Sequence, residues 1–297
     1  MVISASRRTD IPAFYAEWFM NRTREGYALV ENPFNPAQTS RVDLRPEAVE
    51  AVVFWTRNPA PLMPHLEELD RRGYRYYFLY TITGYPPVLE PFAPRPKEAV
   101  EAFRALSGRV GPERVLWRYD PVLISEATPE EYILRNFEEL LRALGPFTRR
   151  VVVSFAHLYG KTVRNLTRAA VAFQDPDREA RLRIARGLSR AAGGQGLPVF
   201  SCASPEDLSP HGISPGRCID GALIGDVLGV RVSGEKDPSQ RAACGCARSK
   251  DIGAYDTCLH GCLYCYATGG REAALGNHAR HDPAAASLLP RTSHEAA

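Results

Sequence analysis

The stretch CLHGCLYCYA, residues 258–267, places three cysteines, a histidine and two tyrosines side by side in the sequence. Cys258, Cys262 and Cys265 have the spacing CxxxCxxC. On a helix these offsets share one face, and a looped backbone eased by Gly261 also turns three thiolates toward one centre. Four cysteines saturate an iron–sulfur cube or a structural zinc, whereas three leave one iron without a protein ligand. That open corner is where a substrate could bind. His260 is expected to orient the loop or donate to a cluster sulfide, because softer thiolates already supply the metal. Tyr264 and Tyr266 are expected to shield the centre, with Tyr264 a candidate cofactor contact; packing alone explains both equally well. Asp251 and Tyr255 stand close enough before the loop to buttress it, a plain turn being the alternative.

The remaining thiols, Cys202, Cys218, Cys244 and Cys246, are a complete ligand set for a second iron–sulfur cluster or a zinc ion, and with the first three they account for all seven cysteines. Gly245 between the last two lets both approach one centre. The alternative is that Cys202 and Cys218 are small buried hydrophobes. An odd total, crowded between Cys244 and Cys265, argues against a disulfide scaffold.

Elements that would position these residues are legible as alternating strands and helices. Apolar, β-branched and aromatic runs at 2–6, 27–30, 51–56, 74–82, 114–119, 150–156 and 197–203 read as buried parallel strands, and the stretches 12–26, 64–73, 96–108, 128–145 and 177–194 as amphipathic helices. The expected fold is α/β: a TIM-like or partial β/α barrel, with an open sheet as the alternative. In a barrel, chemistry gathers where strands end, and here those ends are polar: SRRTD (6–10), WTRNP (55–59), TITGYPP (81–87), WRYDP (117–121) and SFAHLYG (154–160). They supply candidate catalytic groups in Arg8, Asp10, Arg118 and Asp120, cofactor contacts in Thr83 and Gly84, and substrate contacts in Arg7, Trp55, Arg57, Asn58, Tyr85 and Tyr119. Ion pairs that merely hold loops are the competing explanation for Arg8 with Asp10 and for Arg118 with Asp120.

Residues 1–240 are expected to form the barrel body, and residues 241–297 a cysteine-rich segment and tail packed on the same domain, with the last thirty residues, which include AAASLLPRTSHEAA, loosely packed or frayed. The 297-residue chain is 44% hydrophobic and 24% charged with net charge +3, which describes a globular protein and is too weakly basic for a dedicated nucleic-acid binder. No apolar run approaches a membrane span and no secretion signal opens the chain, so a cytoplasmic location is expected.

An aromatic residue before the third cysteine, here Tyr264, makes the motif resemble the signature of radical S-adenosylmethionine (SAM) proteins. CLHGCLYCYA is similar to the cluster loop of the branch containing spore photoproduct lyase. Over nearly the whole chain, VFWTRNP, WRYDPVLI, RSKDIGAYDTC and RHDP resemble an uncharacterised family, a domain of unknown function with radical-SAM-like cysteines at its C-terminus. The resemblance implies a [4Fe–4S] cluster on Cys258, Cys262 and Cys265, SAM chelated at the open iron, and an electron donor such as a flavodoxin or ferredoxin. Two features depart from ordinary radical SAM proteins. Their cluster loop follows the first barrel strand, whereas here it follows the last recognisable βα unit, so the barrel would be circularly permuted with 249–256 supplying or preceding the feeding strand. A GGE-type segment for the methionyl amine is also absent, leaving TITGYPP and SASRRTD as positional candidates.

The leading expectation is a radical enzyme acting on an anionic or nucleotide-like small molecule, since Arg7, Arg8, Arg57 and Arg118 stand at strand ends and Trp55 and Tyr119 could stack on a base. A non-catalytic zinc or iron–sulfur protein that binds nucleic acid or a protein is the second. A hydrolytic barrel using Asp10, Asp120 and His157 with a divalent metal is the third.

Overall fold

Residues 1–290 are described by the structure, a computed structural model. The apolar runs form strands β1 (Val2–Ala5), β2 (Ala51–Thr56), β3 (Tyr76–Thr81), β4 (Val115–Val122), β5 (Val151–Phe155) and β6 (Val199–Cys202). Two short strands complete the sheet, β7 (Ile213–Gly216) and β8 (Lys250–Asp251). All eight run parallel, in the order β7-β6-β5-β4-β3-β2-β1-β8. Spatial order therefore follows chain order from β1 to β7, without the reversal that marks a doubly wound sheet. The last strand, β8, joins the other edge of β1, with Ile3 opposite Lys250 and Ser4 opposite Asp251.

Among the described residues nothing pairs β7 with β8, so the sheet is open and no closed barrel forms. Backbone chemistry accounts for this: β7 contains Pro215, which has no N–H to donate, and β8 is only two residues long.

Helices α1 (Ala16–Glu25), α2 (Leu66–Arg71), α3 (Pro96–Val110) and α4 (Glu130–Leu144) follow strands β1 to β4 in turn, and α5 (Gly160–Arg168) and α6 (Arg178–Gly193) both lie between β5 and β6. Apolar positions at helical spacing, such as Phe103 with Leu106 and Phe137 with Leu140 and Leu141, bury against Phe54, Phe78 and Trp117 of the sheet. Successive strand residues point to opposite faces. Val53, Leu79, Leu116 and Val152 consequently meet a second layer, made by helix α7 (Gly221–Leu228) through Leu223 and Ile224 together with Cys218, Cys244 and Cys246. Both faces are covered, as continuous apolar strands require.

Three expectations are corrected. The run 27–30 is a strand, but it pairs antiparallel in a hairpin (Tyr27–Asn32 with Asn35–Asp43) and lies outside the parallel sheet. The segment 12–26 is split at Tyr15 into a single turn, Ile11–Phe14, and α1. Beyond helix α8 (Arg271–Ala279), residues 284–290 are docked rather than loosely held: Trp18 Nε1 donates to Ala285 O at 3.0 Å, Leu29 N to Ala286 O at 2.9 Å, and Leu288 is buried. The remainder of that tail, 291–297, lies outside the described residues. No described helix is long and apolar enough to cross a membrane.

Candidate metal and substrate site

Strand β8 brings the cysteine loop to the edge of β1, and Asp251 locks it there. Its carboxylate accepts from Ser4 Oγ (2.7 Å), Ser6 Oγ (2.6 Å), Arg7 N (2.7 Å) and Gly253 N (3.0 Å). Glycine is required at 253, because a Cβ would lie 2.1 Å from Ser6 Oγ. Arg8 adds to the same support, packing 5.3 Å from the Tyr255 ring centroid and donating to Gly253 O at 3.4 Å. Asp251 and Tyr255 thus serve as the buttress read from the sequence.

Within the loop, Gly261 takes a left-handed conformation (φ +67°) that turns the chain between Cys258 and Cys262. His260 points back to the sheet, where its Nε2 lies 2.9 Å from Asp10 Oδ2. The same carboxylate accepts from Arg57 N at 2.7 Å and caps the Ile11–Phe14 turn through Ala13 N at 3.0 Å. Asp10 therefore joins the loops after β1, β2 and β8.

The three thiols of this loop are partly exposed and free of disulfide bonds. Burial raises the Cys258 thiol, with Asp10, Cys265 and Cys262 adding to the shift. Burial pushes Cys262 up to about 12 against the opposing charge of Arg57. Arg57 Nη1 pairs with Glu90 Oε1 at 3.1 Å and reaches Thr83 Oγ1 at 3.3 Å, while Nη2 reaches the Tyr264 hydroxyl at 2.5 Å. The hydroxyls of Thr83 and Tyr264 both donate to Glu90. Burial would lower the Arg57 guanidinium, yet Cys262, Glu90 and Tyr264 raise it well above its ordinary value. Beside this group opens a cleft of 170 Å³ lined by Arg57, Thr83, Gly84, Tyr85 and Glu90. Tyr85 also meets the Tyr264 ring edge-on, at 6.0 Å between centroids. Asn58 faces a second cleft of 410 Å³, shared with Phe14, Phe92 and His260.

A separate patch lies on the inner face of the sheet. The guanidinium carbons of Arg7 and Arg118 stand 5.5 and 4.7 Å from the Trp55 ring centroid. Arg118 is paired with Asp120, which also accepts the Ser154 hydroxyl. Trp55 Nε1 and Arg118 Nε are buried with no hydrogen-bond partner. The charge of Arg7 is felt by Asp251, Cys246, Tyr266 and Cys218, and Tyr266 in turn senses Cys265 and donates its hydroxyl to Arg7 O at 2.7 Å. The patch thus has both groups of thiols as electrostatic neighbours.

The strand-end candidates are therefore divided. Asp10, Arg57, Thr83, Gly84 and Tyr85 gather at the loop; Arg7, Trp55, Arg118 and Asp120 gather at the inner face. Tyr119 belongs to neither. Alternation sends 118 and 120 inward and 119 toward the helices, where it is fully buried against Trp117 and Phe137 and donates to Ile133 O, so it has no surface to offer a base. His157 is exposed beside Tyr159, away from the partners that occupy Asp10 and Asp120. Glu90 was missed in the sequence: a single acid in the proline-rich run YPPVLEPFAP carries no spacing signal.

The other four thiols meet at one point. Cys202 ends β6, Cys218 follows β7, and Cys244 and Cys246 come from the irregular segment before β8. Cys218 and Cys202 are 3.2 Å apart at sulfur, and the neighbouring thiols of Cys202, Cys218 and Cys244 hold the Cys246 thiol well below its ordinary value. Among the described residues, no three or more histidine, cysteine, aspartate or glutamate side chains are spread as a metal ion needs. The Cys202–Cys218 sulfur separation of 3.2 Å is shorter than the spacing of two thiolates around one ion.

A family model described as "Domain of unknown function (DUF1848)" matches residues 2–267. No curated protein and no solved structure matches the chain.

Proposed function

The chain belongs to the DUF1848 family, and on that premise we propose that it is a radical SAM-type enzyme, with a [4Fe–4S] cluster held by Cys258, Cys262 and Cys265. The observation that carries this reading is the presentation of three free, partly exposed thiols on one loop at the C-terminal edge of a parallel sheet. In a cube each thiolate has its own iron, so three thiolates leave the fourth iron open. When bound, the cluster with SAM would supply reductive cleavage of the sulfonium and hydrogen-atom abstraction from a substrate.

Strand order supports a permuted, partial barrel: beginning at β8, the sheet reads β8, β1, β2 and onward to β7, so the cysteine loop follows the first strand of that series. His260 and Asp10 orient the loop. Arg57, with Glu90, places a cation beside Cys262, and the cleft lined by Thr83, Gly84 and Tyr85 offers room for the cofactor next to it. At the inner face, Arg7 and Arg118 over Trp55 suit an anionic, nucleotide-like small molecule; the unpartnered Trp55 Nε1 and Arg118 Nε are two donors it could satisfy. The α7 layer packs on the same face and covers part of it. A small electron carrier such as a flavodoxin or ferredoxin would serve as reductant, in the cytoplasm, with no need of nucleic acid.

Anaerobic reconstitution with iron and sulfide, reduction, and incubation with SAM test the proposal. The expected result is about four irons on the loop and slow formation of 5′-deoxyadenosine, both lost in Cys262→Ala. A filled, reduced cluster that yields no nucleoside would overturn it.

A further inference from the structure

Four cysteines from three separate segments converge beneath Arg7 and Arg118, and neither the radical chemistry nor the cleft at the cysteine loop uses them. Their burial is deep: Cys218 is 1%, Cys246 2% and Cys244 7% exposed. Packing alone does not require this convergence, since four apolar residues would fill the space without bringing sulfurs together. We propose that Cys202, Cys218, Cys244 and Cys246 form a four-thiolate site for a single zinc ion that fastens residues 218–247 to the inner face of the sheet. The inference stands independently of the radical SAM reading.

Spacing selects one ion over a cube. Sulfurs bonded to zinc at about 2.3 Å in a tetrahedron lie about 3.8 Å apart, so the 3.2 Å separation of Cys202 and Cys218 needs to open by only about half an ångström. A cube distributes its ligands over four irons and holds them wider still. The second contact sphere is also in place. Ile219 N donates to Cys246 Sγ at 3.4 Å, the backbone support that ligand thiolates commonly receive. Four thiolates around a divalent ion leave two negative charges, and Arg7 and Arg118 are the cations whose charge reaches these sulfurs.

The fold supplies the reason for such a fastening. Between Gly229 and Ser249 there is no helix and no strand of the sheet, only a bridge of Lys236 with Ala247 and a few turns. Yet this stretch carries Cys244, Cys246 and Ala247 into the inner core with Ile219 and Leu223. A chain without regular backbone bonding is commonly held by a metal or a disulfide.

The test uses the full chain with Cys258→Ala, Cys262→Ala and Cys265→Ala, so that the loop binds nothing. Purified by gel filtration and analysed for metals, it should carry about one zinc and no iron per chain. Exchange with cobalt(II) should give the thiolate charge-transfer band and strong visible bands of a tetrahedral centre. Adding Cys244→Ser and Cys246→Ser, or stripping wild type with a chelator, should abolish the metal and speed proteolysis within 218–249 by roughly tenfold. Four freely titrating thiols in the folded, metal-free chain would overturn the proposal. So would two disulfides, or iron with inorganic sulfide in place of zinc. Retention of zinc by the loop variants alongside loss of 5′-deoxyadenosine formation separates the two centres.

Discussion

His260 Nε2 and Asp10 Oδ2 lie 2.9 Å apart, and this contact fixes the cysteine loop to a residue 250 positions earlier. Asp10 also holds Arg57 N and Ala13 N, so one carboxylate sets the relative positions of three sheet loops. Removing it leaves buried donors unsatisfied.

Asp10→Ala is expected to destabilise the protein by about 3 kcal/mol and to reduce iron uptake by the loop. Asp10→Asn, which keeps an acceptor, should be milder in both respects. Urea melts and iron analysis on the two variants check this. Equal iron in all three proteins would deny Asp10 its positioning role.

The Arg57–Glu90 pair should show the asymmetry of buried charges, since their side chains are only 12% and 5% exposed. Glu90→Ala strands the guanidinium and should cost about 3–5 kcal/mol, whereas Arg57→Leu with Glu90→Leu should cost distinctly less. A double-mutant cycle by denaturant unfolding measures the difference.

Tryptophan fluorescence can test the proposed anion site. Trp18 and Trp117 are fully buried and bonded to Ala285 O and Ile82 O, which leaves Trp55 as the responsive indole. Pyrophosphate or a nucleoside phosphate should shift the emission, and Trp55→Phe should abolish the response. Arg118→Gln should weaken the apparent affinity by about tenfold or more, consistent with loss of a charge-assisted hydrogen bond.

Acid should loosen the docked C-terminal region. Burial lowers the pKa of His278, and His281 adds to this, from the ordinary 6.5. The unfolded chain therefore binds more protons below about pH 6.5, so this contribution is complete above that pH and is lost as pH falls toward the folded-state value. The Tm between pH 7.5 and 5.5 should fall less in His278→Gln than in wild type.

Much of the sheet was legible because buried parallel strands are continuously apolar, and six runs from Val2 to Cys202 became strands of it. The hairpin strand at Tyr27–Asn32 was misplaced for a physical reason: apolar character reports burial, not strand partners. Strand β7 escaped because ISPG lacks β-propensity and owes its pairing to a neighbour already in place, whereas β8 falls inside the 249–256 stretch expected to supply or precede the strand feeding the loop. At the candidate site, polar strand ends pointed to residues that the structure gathers into two groups, at the cysteine loop and on the inner face. Strand parity, which removed Tyr119, emerged only once the register of β4 was known. Glu90 and the partnership of Asp10 with His260 are contacts across long sequence separations, and no local pattern encodes them.

The pairing of β8 with β1 imposes an order in time. Ile3 faces Lys250, so about 250 residues must leave the ribosome before the first strand acquires this neighbour, some 12–50 s at about 5–20 residues per second. Throughout that interval the edge of β1 is unpaired and its Ser4 and Ser6 hydroxyls lack the Asp251 carboxylate. Cys258, Cys262 and Cys265 emerge later still. Nascent chains halted before residue 250 should consequently be open to edge-to-edge association, and any ligand of the proposed cysteine-loop centre would have to arrive late in the life of the polypeptide.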